Sequence, residues 1–498
     1  MGIRSILSKP FISQAIRRQN KWSSNPVITQ RTQFEYLVER GRETAFGREH
    51  GFAGIRNYRD FKSQVPVRDY EAFSNYIRRI IDGESDVLWP GKPAYFAKTS
   101  GTTSGVKYIP LTRDSIPYHI NSARDALFNY IHETGNSSLL DGKVIFLSGS
   151  PVLSETGGIK TGRLSGIVNL HVPAWIRYNQ KPSFKTNCIE DWEEKIERII
   201  EETLDADMRL ISGIPPWVQM YFDRLIQRTG KKIKKIFPYF SVFVYGGVNF
   251  EPYRARLFDS IGGKVDSIET YPASEGFIAY QFRQHDPALL MLMNSGIFYE
   301  FIPVSELRSE NPERITIEQV QTGVNYALII NSNAGLWGYA LGDTLRFISV
   351  KPPLIVVTGR VSHFISAFGE HVIAEEVEKA MKAALEDSPG TEVSEFTVAP
   401  LVNPALGLPH HEWYIEFSKP PEDDQSFSGN LDLNLRKLNA YYDDLISGSI
   451  LRPLKIIRIR RDGFRDYMKA EGKLGGQNKV PRLANDRSVV SRLLNFAE

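Results

Sequence analysis

The chain carries the stretch KTSGTTSGVK at residues 98–107, directly after the strand-like segment AYFA at residues 94–97. Seven of the ten residues are Ser, Thr or Gly, and a lysine stands at each end. Glycines let a backbone approach a ligand closely. Hydroxyls, backbone N–H groups and a lysine bind phosphate oxygens. The stretch therefore predicts a loop that holds the phosphates of a nucleotide.

The spacing within this loop excludes the standard nucleotide motifs. A Walker loop has the pattern G-x-x-x-x-G-K-[ST], whereas here three residues separate Gly101 from Gly105 and Tyr108 follows Lys107. The pattern G-x-G-x-x-G does not match either. A solvated turn between two strands is the alternative interpretation, and the rest of the chain decides between the two.

Composition narrows the class of protein. The chain has 498 residues, of which 42% are hydrophobic, and this length favours two or three domains with large cores. A net charge of +3 gives no reason to expect a nucleic-acid partner. Cys188 is the only cysteine, so disulfides within the chain and cysteine-based zinc sites are excluded, and we expect a cytoplasmic protein. No run of about 18 apolar residues predicts a membrane span.

Strand and helix patterns alternate after residue 140. Strands are predicted at residues 144–147, 209–211, 240–245 and 265–269, and helices at 192–204 and 253–261. This order favours a parallel sheet with crossover helices. Later strands, at 298–302, 315–320, 326–330, 345–350 and 354–357, follow at short spacing and predict a barrel-like or antiparallel section.

The pattern changes after Gly359. Helices are predicted at residues 374–385 and 431–445, strands at 396–400, 413–417 and 456–459, and a loop at 420–426. We therefore predict an α/β fold class, with a large N-terminal α/β domain that contains a β-barrel-like section and a small C-terminal α+β domain.

Three further polar clusters are predicted at strand ends, at residues 270–276 (TYPASEG), 339–343 (YALGD) and 358–360 (TGR). Ligands of open α/β sheets gather beyond the carboxyl ends of strands. Glu275 suits Mg²⁺ as a hard oxygen ligand, Asp343 suits ribose hydroxyls, and Arg360 suits ribose or phosphate. The segment Ser274-Glu275-Gly276 is not a nucleophile elbow, because Pro272 stands where G-x-S-x-G requires its first glycine.

Together these motifs resemble, in order and spacing, the GH3-type acyl-acid amido synthetases of the adenylate-forming superfamily. Residues 99–105 are similar to that superfamily's phosphate loop, and residues 271–276 to its motif ending in Ser-Glu. Residues 339–343 are similar to its ribose-binding motif, 359–370 to its hinge segment, and 476–482 (GQNKVPR) to the motif that carries the adenylation lysine. The likeness covers essentially the whole chain.

The resemblance implies a set of site residues and cofactors. ATP and Mg²⁺ are the expected cofactors, with Lys479 and Glu275 as catalytic residues and Glu275 also as the metal ligand. The expected nucleotide-binding residues are Ser100, Gly101, Thr102, Thr103, Gly246, Gly247, Thr270, Tyr271, Ser274, Asp343 and Arg360. The role of Lys107 stays open. The implied domains are residues 1–358 for ATP and the acyl substrate, 359–362 as a hinge, and 363–498 as a small mobile domain.

The implied activity is ATP-dependent adenylation of a carboxylic acid, followed by transfer of the acyl group to an amine, an amino acid by expectation, with release of AMP and pyrophosphate. The expected partners are these small molecules alone, and the expected state is a monomer. Two alternatives stay open. One is an acyl-CoA ligase, which shares the adenylation step, and the other is a non-catalytic nucleotide-binding relative.

Overall fold

The computed structural model describes residues 2–100, 106–172, 174–189, 191–246, 250–307, 309, 312–360, 364–365, 372–447, 451–474, 479–484 and 487–498. Contacts between Cα atoms divide the chain into two compact units. The first consists of Met1–Val248, Arg256–Leu341 and Leu345–Val357, and the second of Asn249–Ala255, Gly342–Thr344 and Thr358–Glu498. The functional assignment of residues 1–358, 359–362 and 363–498 stays a prediction.

The helices and strands alternate along most of the chain. Within the described residues, the helices are α1 (Ile3–Ser23), α2 (Pro26–Gly41), α3 (Ala45–Glu49), α4 (Tyr58–Gln64), α5 (Tyr70–Ile81), α6 (Ile116–Thr134), α7 (Leu164–Leu170), α8 (Ala174–Arg177), α9 (Phe184–Asn187), α10 (Trp192–Thr203), α11 (Pro215–Thr229), α12 (Ile233–Ile236), α13 (Glu251–Ile261), α14 (Ala374–Glu386), α15 (Asp424–Leu438), α16 (Ala440–Ser447), α17 (Gly463–Ala470) and α18 (Ser488–Leu493). The strands of the same residues are β1 (Tyr95–Ser100), β2 (Val106–Leu111), β3 (Lys143–Phe146), β4 (Ser154–Thr156), β5 (Ile159–Gly162), β6 (Gln180–Lys181), β7 (Met208–Ser212), β8 (Val242–Gly246), β9 (Asp266–Ala273), β10 (Gly276–Gln281), β11 (Leu289–Met291), β12 (Ile297–Pro303), β13 (Asn325–Ser332), β14 (Tyr339–Val350), β15 (Pro353–Arg360), β16 (Phe364–Ile365), β17 (Val372–Ile373), β18 (Glu392–Leu401), β19 (His410–Lys419) and β20 (Lys455–Ile459).

The main sheet has the strand order β12-β13-β14-β15-β11-β10-β9-β8-β7-β3-β6 in the part of the chain that is described. Strands β6, β3, β7, β8 and β9 pair in parallel, which confirms the predicted parallel section. The pairs β9–β10, β10–β11, β11–β15 and β12–β13 are antiparallel, so the antiparallel alternative is confirmed for these later strands. A smaller sheet, in the order β2-β1-β5-β4, carries the stretch that begins at Lys98.

The core of the first unit is rich in aromatic side chains. Trp337 is fully buried and contacts Phe46 and Phe52, with ring centroids 6.1 and 4.9 Å away. Burial of aromatic rings contributes much of the hydrophobic stabilisation of a fold. In the described residues, no helix combines the length and the apolar character that a membrane span requires.

In the second unit, helices α14 and α15 share a hydrophobic core with the sheet β18-β19-β20. Strands β18 and β19 are antiparallel, whereas β19 and β20 are parallel. Trp413 is fully buried and stacks on Phe396 with ring centroids 5.8 Å apart. This arrangement confirms the predicted α+β character of the C-terminal part.

Two predicted elements were wrong. The strand expected at residues 315–320 is a single bridge at Ile315, because a turn closed by Gln319 N–H and Thr316 O follows it. The helix expected at 431–445 begins instead at Asp424, inside the predicted loop, with Asp423 as its cap. It breaks at Asn439, where the backbone is extended and the side-chain oxygen accepts a hydrogen bond from Tyr442 N at 2.8 Å. A capping side chain of this kind ends one helix and starts the next.

Candidate active site

The predicted phosphate loop connects the two strands of a β-hairpin. Strands β1 and β2 are antiparallel, and Thr99 pairs with Lys107 while Ser100 pairs with Val106. The expected contacts Gly101, Thr102 and Thr103 lie outside the described residues, and the side chain of Ser100 is not described. The predicted loop therefore joins two strands whose backbones are paired up to Ser100 and from Val106.

The two lysines of the hairpin point to different neighbours. Lys98 Nζ donates to Ser154 Oγ of β4 at 2.8 Å. Lys107 Nζ lies 5.3 Å from the ring centroid of Tyr70, within cation–π range. The hydroxyl of Tyr70 accepts a hydrogen bond from Tyr108 N at 2.7 Å. Lys107, whose role the sequence left open, is thus placed against the first residue of α5.

A second hairpin carries the TYPASEG cluster. The cluster was expected after the strand at 265–269, but β9 continues to Ala273, which pairs with Gly276 of β10. Ser274 and Glu275 therefore form the two-residue connection between the strands. Both residues are half-buried. Tyr271, by contrast, is buried within β9.

Gly246 and Thr270 lie side by side where β8 and β9 pair in parallel. Thr270 Oγ1 donates to Tyr245 O at 2.9 Å. A Cβ atom at position 246 would lie 2.4 Å from Thr270 O, so the close approach of the two strands requires glycine. The structure places Gly246 and Thr270 together at the carboxyl end of β8, and Gly247 lies outside the described residues.

Glu275 is held by a buried tyrosine from a distant part of the chain. Tyr339 Oη donates to Glu275 Oε1 at 3.3 Å. Tyr339 is 3% exposed, and its ring meets the edge of Phe73 of α5 with centroids 5.6 Å apart. Burial and the neighbouring Glu275 charge raise the pKa of Tyr339, so the hydroxyl stays protonated and acts as a donor.

The backbone on both sides of Tyr339 is fixed as well. Arg68 N donates to Gly338 O, and Ala340 N donates to Arg68 O, both at 2.8 Å. Asn331 Oδ1 accepts a hydrogen bond from Gly338 N at 2.6 Å. Gly338 has a φ of +57°, a left-handed conformation that favours glycine. These contacts set the direction in which the Tyr339 side chain leaves β14.

Helix α5 connects the two hairpins within the first unit. Its first residue, Tyr70, bonds β2, and Phe73, one turn later, contacts Tyr339. Asp69 caps the helix by accepting a hydrogen bond from Ala72 N at 3.0 Å. The phosphate hairpin and the Tyr339–Glu275 pair are therefore positioned by one short helix.

The remaining predicted residues belong to the second unit or are only partly described. Asp343 was expected just before a strand but lies inside β14, where it is 6% exposed. Arg360 is the last residue of β15, and its side chain is not described. Lys479 is exposed. The hinge residues 361–362 lie outside the described residues.

A single carboxylate at Glu275 fits a magnesium ion that arrives with a nucleotide. Mg²⁺ is commonly bound by one or two carboxylates together with substrate phosphates and waters. No group of three or more His, Cys, Asp or Glu side chains forms a metal cage among the residues with described positions. When bound, the metal would neutralise phosphate charge at Glu275.

Sequence reasoning missed Tyr70, Phe73 and Asn331. Tyr70 is 38 residues away from its partner Tyr108, and Asn331 acts through a side-chain contact to a backbone N–H. No local motif marks either residue. A signal could have come only from knowing which elements pack together.

The fold has counterparts among solved structures. The structure superposes on 2-hydroxyisobutyryl-CoA ligase, in its postadenylation state, with a TM-score of 0.59, 11% identity and coverage of 96% of this chain and 92% of that one. It superposes on the acyl acid amido synthetase AtGH3.15 in complex with 2,4-DB with a TM-score of 0.82, 17% identity and coverage of 98% and 96%. The fold is that of the adenylate-forming ligases.

Family models narrow the class further. The GH3 family N-terminal, central and C-terminal domains match residues 15–168, 290–360 and 375–488. The chain belongs to the GH3 family. Indole-3-acetic acid-amido synthetase GH3.3 of Arabidopsis thaliana is 22% identical over 99% of this chain and 96% of its own. Jasmonoyl–L-amino acid synthetase JAR4 of Nicotiana attenuata is 21% identical over 62% of this chain and 64% of its own.

Proposed function

We propose that this chain is an acyl-acid amido synthetase, which activates a carboxylic acid with ATP and transfers the acyl group to the amine of an amino acid. Membership of the GH3 family supports this proposal. The observation that carries it is the arrangement in the first unit. The hairpin with the phosphate-loop pattern and the Tyr339–Glu275 pair are both held by α5.

In the first step, a carboxylate oxygen of the acid attacks the α-phosphorus of ATP. A P–O bond to the β-phosphate breaks, pyrophosphate leaves, and an acyl-adenylate remains. The protein forms no covalent bond in such a step. It would accelerate the reaction by aligning the carboxylate with ATP and by stabilising the charge that develops on the phosphates. We assign the β- and γ-phosphates to the hairpin tip with Ser100, Gly101, Thr102 and Thr103, and Mg²⁺ to Glu275.

The nucleoside is assigned to the strand ends. Gly246, Gly247, Thr270 and Tyr271 would line the adenine side, with Ser274 beside the phosphates. Asp343 would accept hydrogen bonds from the ribose hydroxyls, and Arg360 would contact ribose or phosphate. A carboxylate and a guanidinium suit these partners because charge-assisted hydrogen bonds are about twice as strong as neutral ones.

In the second step, the amine nitrogen attacks the acyl carbon. The C–O bond to the phosphate breaks, AMP leaves, and the nitrogen loses a proton to form the amide. Lys479 is proposed to serve the first step only, where it would neutralise charge developing on the phosphates. The product is an N-acyl amino acid.

The relatives support the substrate classes but not one particular acid. Their names specify indole-3-acetic acid in one case and a jasmonoyl–L-amino acid in another. We therefore assign the class, a carboxylic acid and an amino acid, without naming either compound. Cys188 is the only cysteine of the chain, so no disulfide can form within it. This supports a reducing compartment, such as the cytoplasm, as its location.

A substrate panel tests the proposal. Carboxylic acids, including indole and aromatic acids, are combined with amino acids or with coenzyme A in the presence of Mg·ATP. Pyrophosphate release is measured, and the product mass is determined. An amide with an amino acid supports the proposal. A CoA thioester as the only product establishes the acyl-CoA ligase instead, and ATP binding without pyrophosphate release for any acid establishes a non-catalytic relative.

A further inference from the structure

Within the described residues, helix α1 contacts the rest of the first unit along one face. Ser5 Oγ lies 2.7 Å from Asp141 Oδ2, and Gly2 N donates to the same oxygen at 2.7 Å. Near the other end, Gln19 Nε2 donates to Asn129 Oδ1 at 2.9 Å. Ile12, Ile16 and Trp22 are buried on this face. The contacts at both ends fix the rotation of the helix, so its opposite face points outward permanently.

The outward face begins with large apolar side chains. Leu7 and Phe11 are 64% and 62% exposed, and they lie one helical turn apart. Residues four apart in a helix are neighbours on one face. Ile6, beside them, is 54% exposed. The three side chains form a small apolar patch that nothing else in the described part of the chain covers.

The same face continues as a basic stripe. Positions 4, 7, 11, 14, 18 and 21 follow the alternating spacing of three and four residues that keeps side chains on one side of a helix. They are occupied by Arg4, Leu7, Phe11, Gln14, Arg18 and Lys21, all of them exposed. Lys9 and Arg17 are exposed too, and the first acidic residue of the chain is Glu35.

Helix α1 therefore carries a local excess of positive charge. Helix α1 contains five Lys or Arg residues and no Asp or Glu, whereas the whole chain has a net charge of only +3. On the outward face of α1 the exposed apolar and basic side chains follow one another along one stripe, so Leu and Phe can enter a membrane interface while Lys and Arg reach the headgroups. Basic residues are attracted there by anionic lipid headgroups.

We propose that the outward face of α1, formed by Arg4, Leu7, Phe11, Arg18 and Lys21 with their exposed neighbours, binds the surface of an anionic lipid bilayer. The helix would lie in the plane of the interface, with Leu7 and Phe11 among the acyl chains and the basic side chains at the phosphates. This inference is independent of the proposed ligase activity.

The chemistry favours lipid over other occupants. A nucleic acid would pair with the basic residues but would leave Leu7 and Phe11 in water. A second copy of the chain would bring two faces with five positive charges each into contact. An anionic bilayer offers a negative surface and an apolar layer at the same place.

Vesicle sedimentation with the full chain tests the proposal. Vesicles of phosphatidylcholine alone are compared with vesicles that contain about 30% phosphatidylserine, at low and high salt. We expect binding only to the anionic vesicles, weakened by salt. Two variants address the face: Leu7→Gln with Phe11→Gln, and Arg17→Gln with Arg18→Gln and Lys21→Gln. Each should weaken binding by at least about tenfold.

Matched control variants show whether a loss of binding is specific to the α1 face or follows from removing any exposed charge or apolar side chain. Lys231→Gln with Lys235→Gln and Lys264→Gln removes the same number of exposed positive charges elsewhere. Leu406→Gln with Leu433→Gln removes two other exposed apolar side chains, 86% and 48% exposed. Both controls should bind like the unmodified chain. Equal binding to neutral vesicles, no binding to either kind, or equal losses in the controls and the α1 variants would each overturn the proposal.

Discussion

Glu275 is the residue on which the proposed metal site depends. In the turn between β9 and β10, Glu275 Oε1 accepts a hydrogen bond from Tyr339 Oη, which orients the carboxylate. Glu275→Gln keeps the size and an acceptor oxygen but removes the charge. We expect the fold to persist and adenylation to slow by about 100-fold or more, as when one charge-stabilising group is lost. The measurement is single-turnover pyrophosphate release.

Glu306→Gln is a suitable control for this variant, because Glu306 is a carboxylate of the same unit outside the site. It should release pyrophosphate at the normal rate. If Glu275→Gln also releases pyrophosphate at a near-normal rate, Glu275 does not hold the metal.

Tyr339 should act as a positioning residue for Glu275. Tyr339→Phe removes one hydroxyl and keeps the ring contact with Phe73. Loss of a hydrogen bond that orients a metal ligand typically weakens metal affinity by at least tenfold. We expect the Mg²⁺ concentration needed for ATP binding to rise about tenfold, measured by calorimetry at several Mg²⁺ concentrations.

The same calorimetry without Mg²⁺ distinguishes positioning from a general loss of structure. Tyr339→Phe should then bind ATP as weakly as the unmodified chain does, and no more weakly. A loss of ATP binding that is identical with and without the metal would assign Tyr339 a structural role only.

His119 predicts a pH dependence of stability. It lies in α6, is 4% exposed, and burial lowers its pKa to about 4. In the unfolded chain this imidazole binds a proton below a pH of about 6.5, whereas in the native state it does so only below about 4. The free energy of unfolding therefore decreases as the pH is lowered from about 6.5 to 4. The total loss is roughly 3 kcal/mol.

Denaturant unfolding between pH 7 and 4 measures this effect. His119→Leu should flatten the pH dependence in that range, because no proton is then taken up at this position on unfolding. His132→Leu, an exposed position of the same helix, should leave the slope unchanged. Identical slopes for His119→Leu and the unmodified chain would remove His119 as the cause.

At the scale of elements, the β1–β2 hairpin is the element that would bind the triphosphate of ATP. Its strands are fixed by six residue pairs, the last of which joins Ser100 to Val106, so the chain enters and leaves residues 101–105 on paired backbone. Thr102→Val with Thr103→Val removes two hydroxyls from the tip and keeps the shape of both side chains. ATP binding should weaken by about 100-fold or more, with about 1.5 kcal/mol lost for each of the two hydrogen bonds to a charged group.

AMP serves as the internal control for this hairpin variant, since it lacks the β- and γ-phosphates. Its affinity should change far less than that of ATP, measured by calorimetry on the same preparation. Equal losses for both nucleotides would contradict the assignment of the tip to the outer phosphates.

The elements also show where sequence patterns are sufficient. Strands β3, β7 and β8 and helices α10 and α13 were predicted within two residues at each end, because a buried strand or an amphipathic helix leaves a periodic pattern. Strands β9 and β14 continue four to six residues beyond the predicted limits. Their extra residues are extended because β10 and the backbone of Arg68 pair with them, which no local pattern reveals.

At the scale of the whole molecule, the two half-reactions can be separated through Lys479. This lysine is exposed and belongs to the second unit, whereas the phosphate hairpin belongs to the first. If Lys479 serves adenylation only, Lys479→Ala should lose most pyrophosphate release, because charge developing on the phosphates is unpaired. Given presynthesised acyl-adenylate and the amine, the variant should form the amide at a near-normal rate.

Each half-reaction must be followed in single turnover, since steady-state rates combine the two steps. Lys473→Ala, another lysine of the same C-terminal segment, is the matched control and should retain both. Parallel losses of both half-reactions in Lys479→Ala would show that Lys479 serves both steps or supports the structure.

The sequence by itself determined the fold class and the family, and it predicted the nucleotide-binding motifs. These depend on residue types at short spacing and on hydrophobic periodicity, which are properties of the chain before it folds. The tertiary structure alone decided what holds the site. Tyr339 bonds Glu275 across 64 residues, Tyr70 bonds Tyr108 across 38, and Asn439 divides a predicted helix. Such contacts arise from the packing of elements distant in the chain, and packing leaves no pattern in the local sequence.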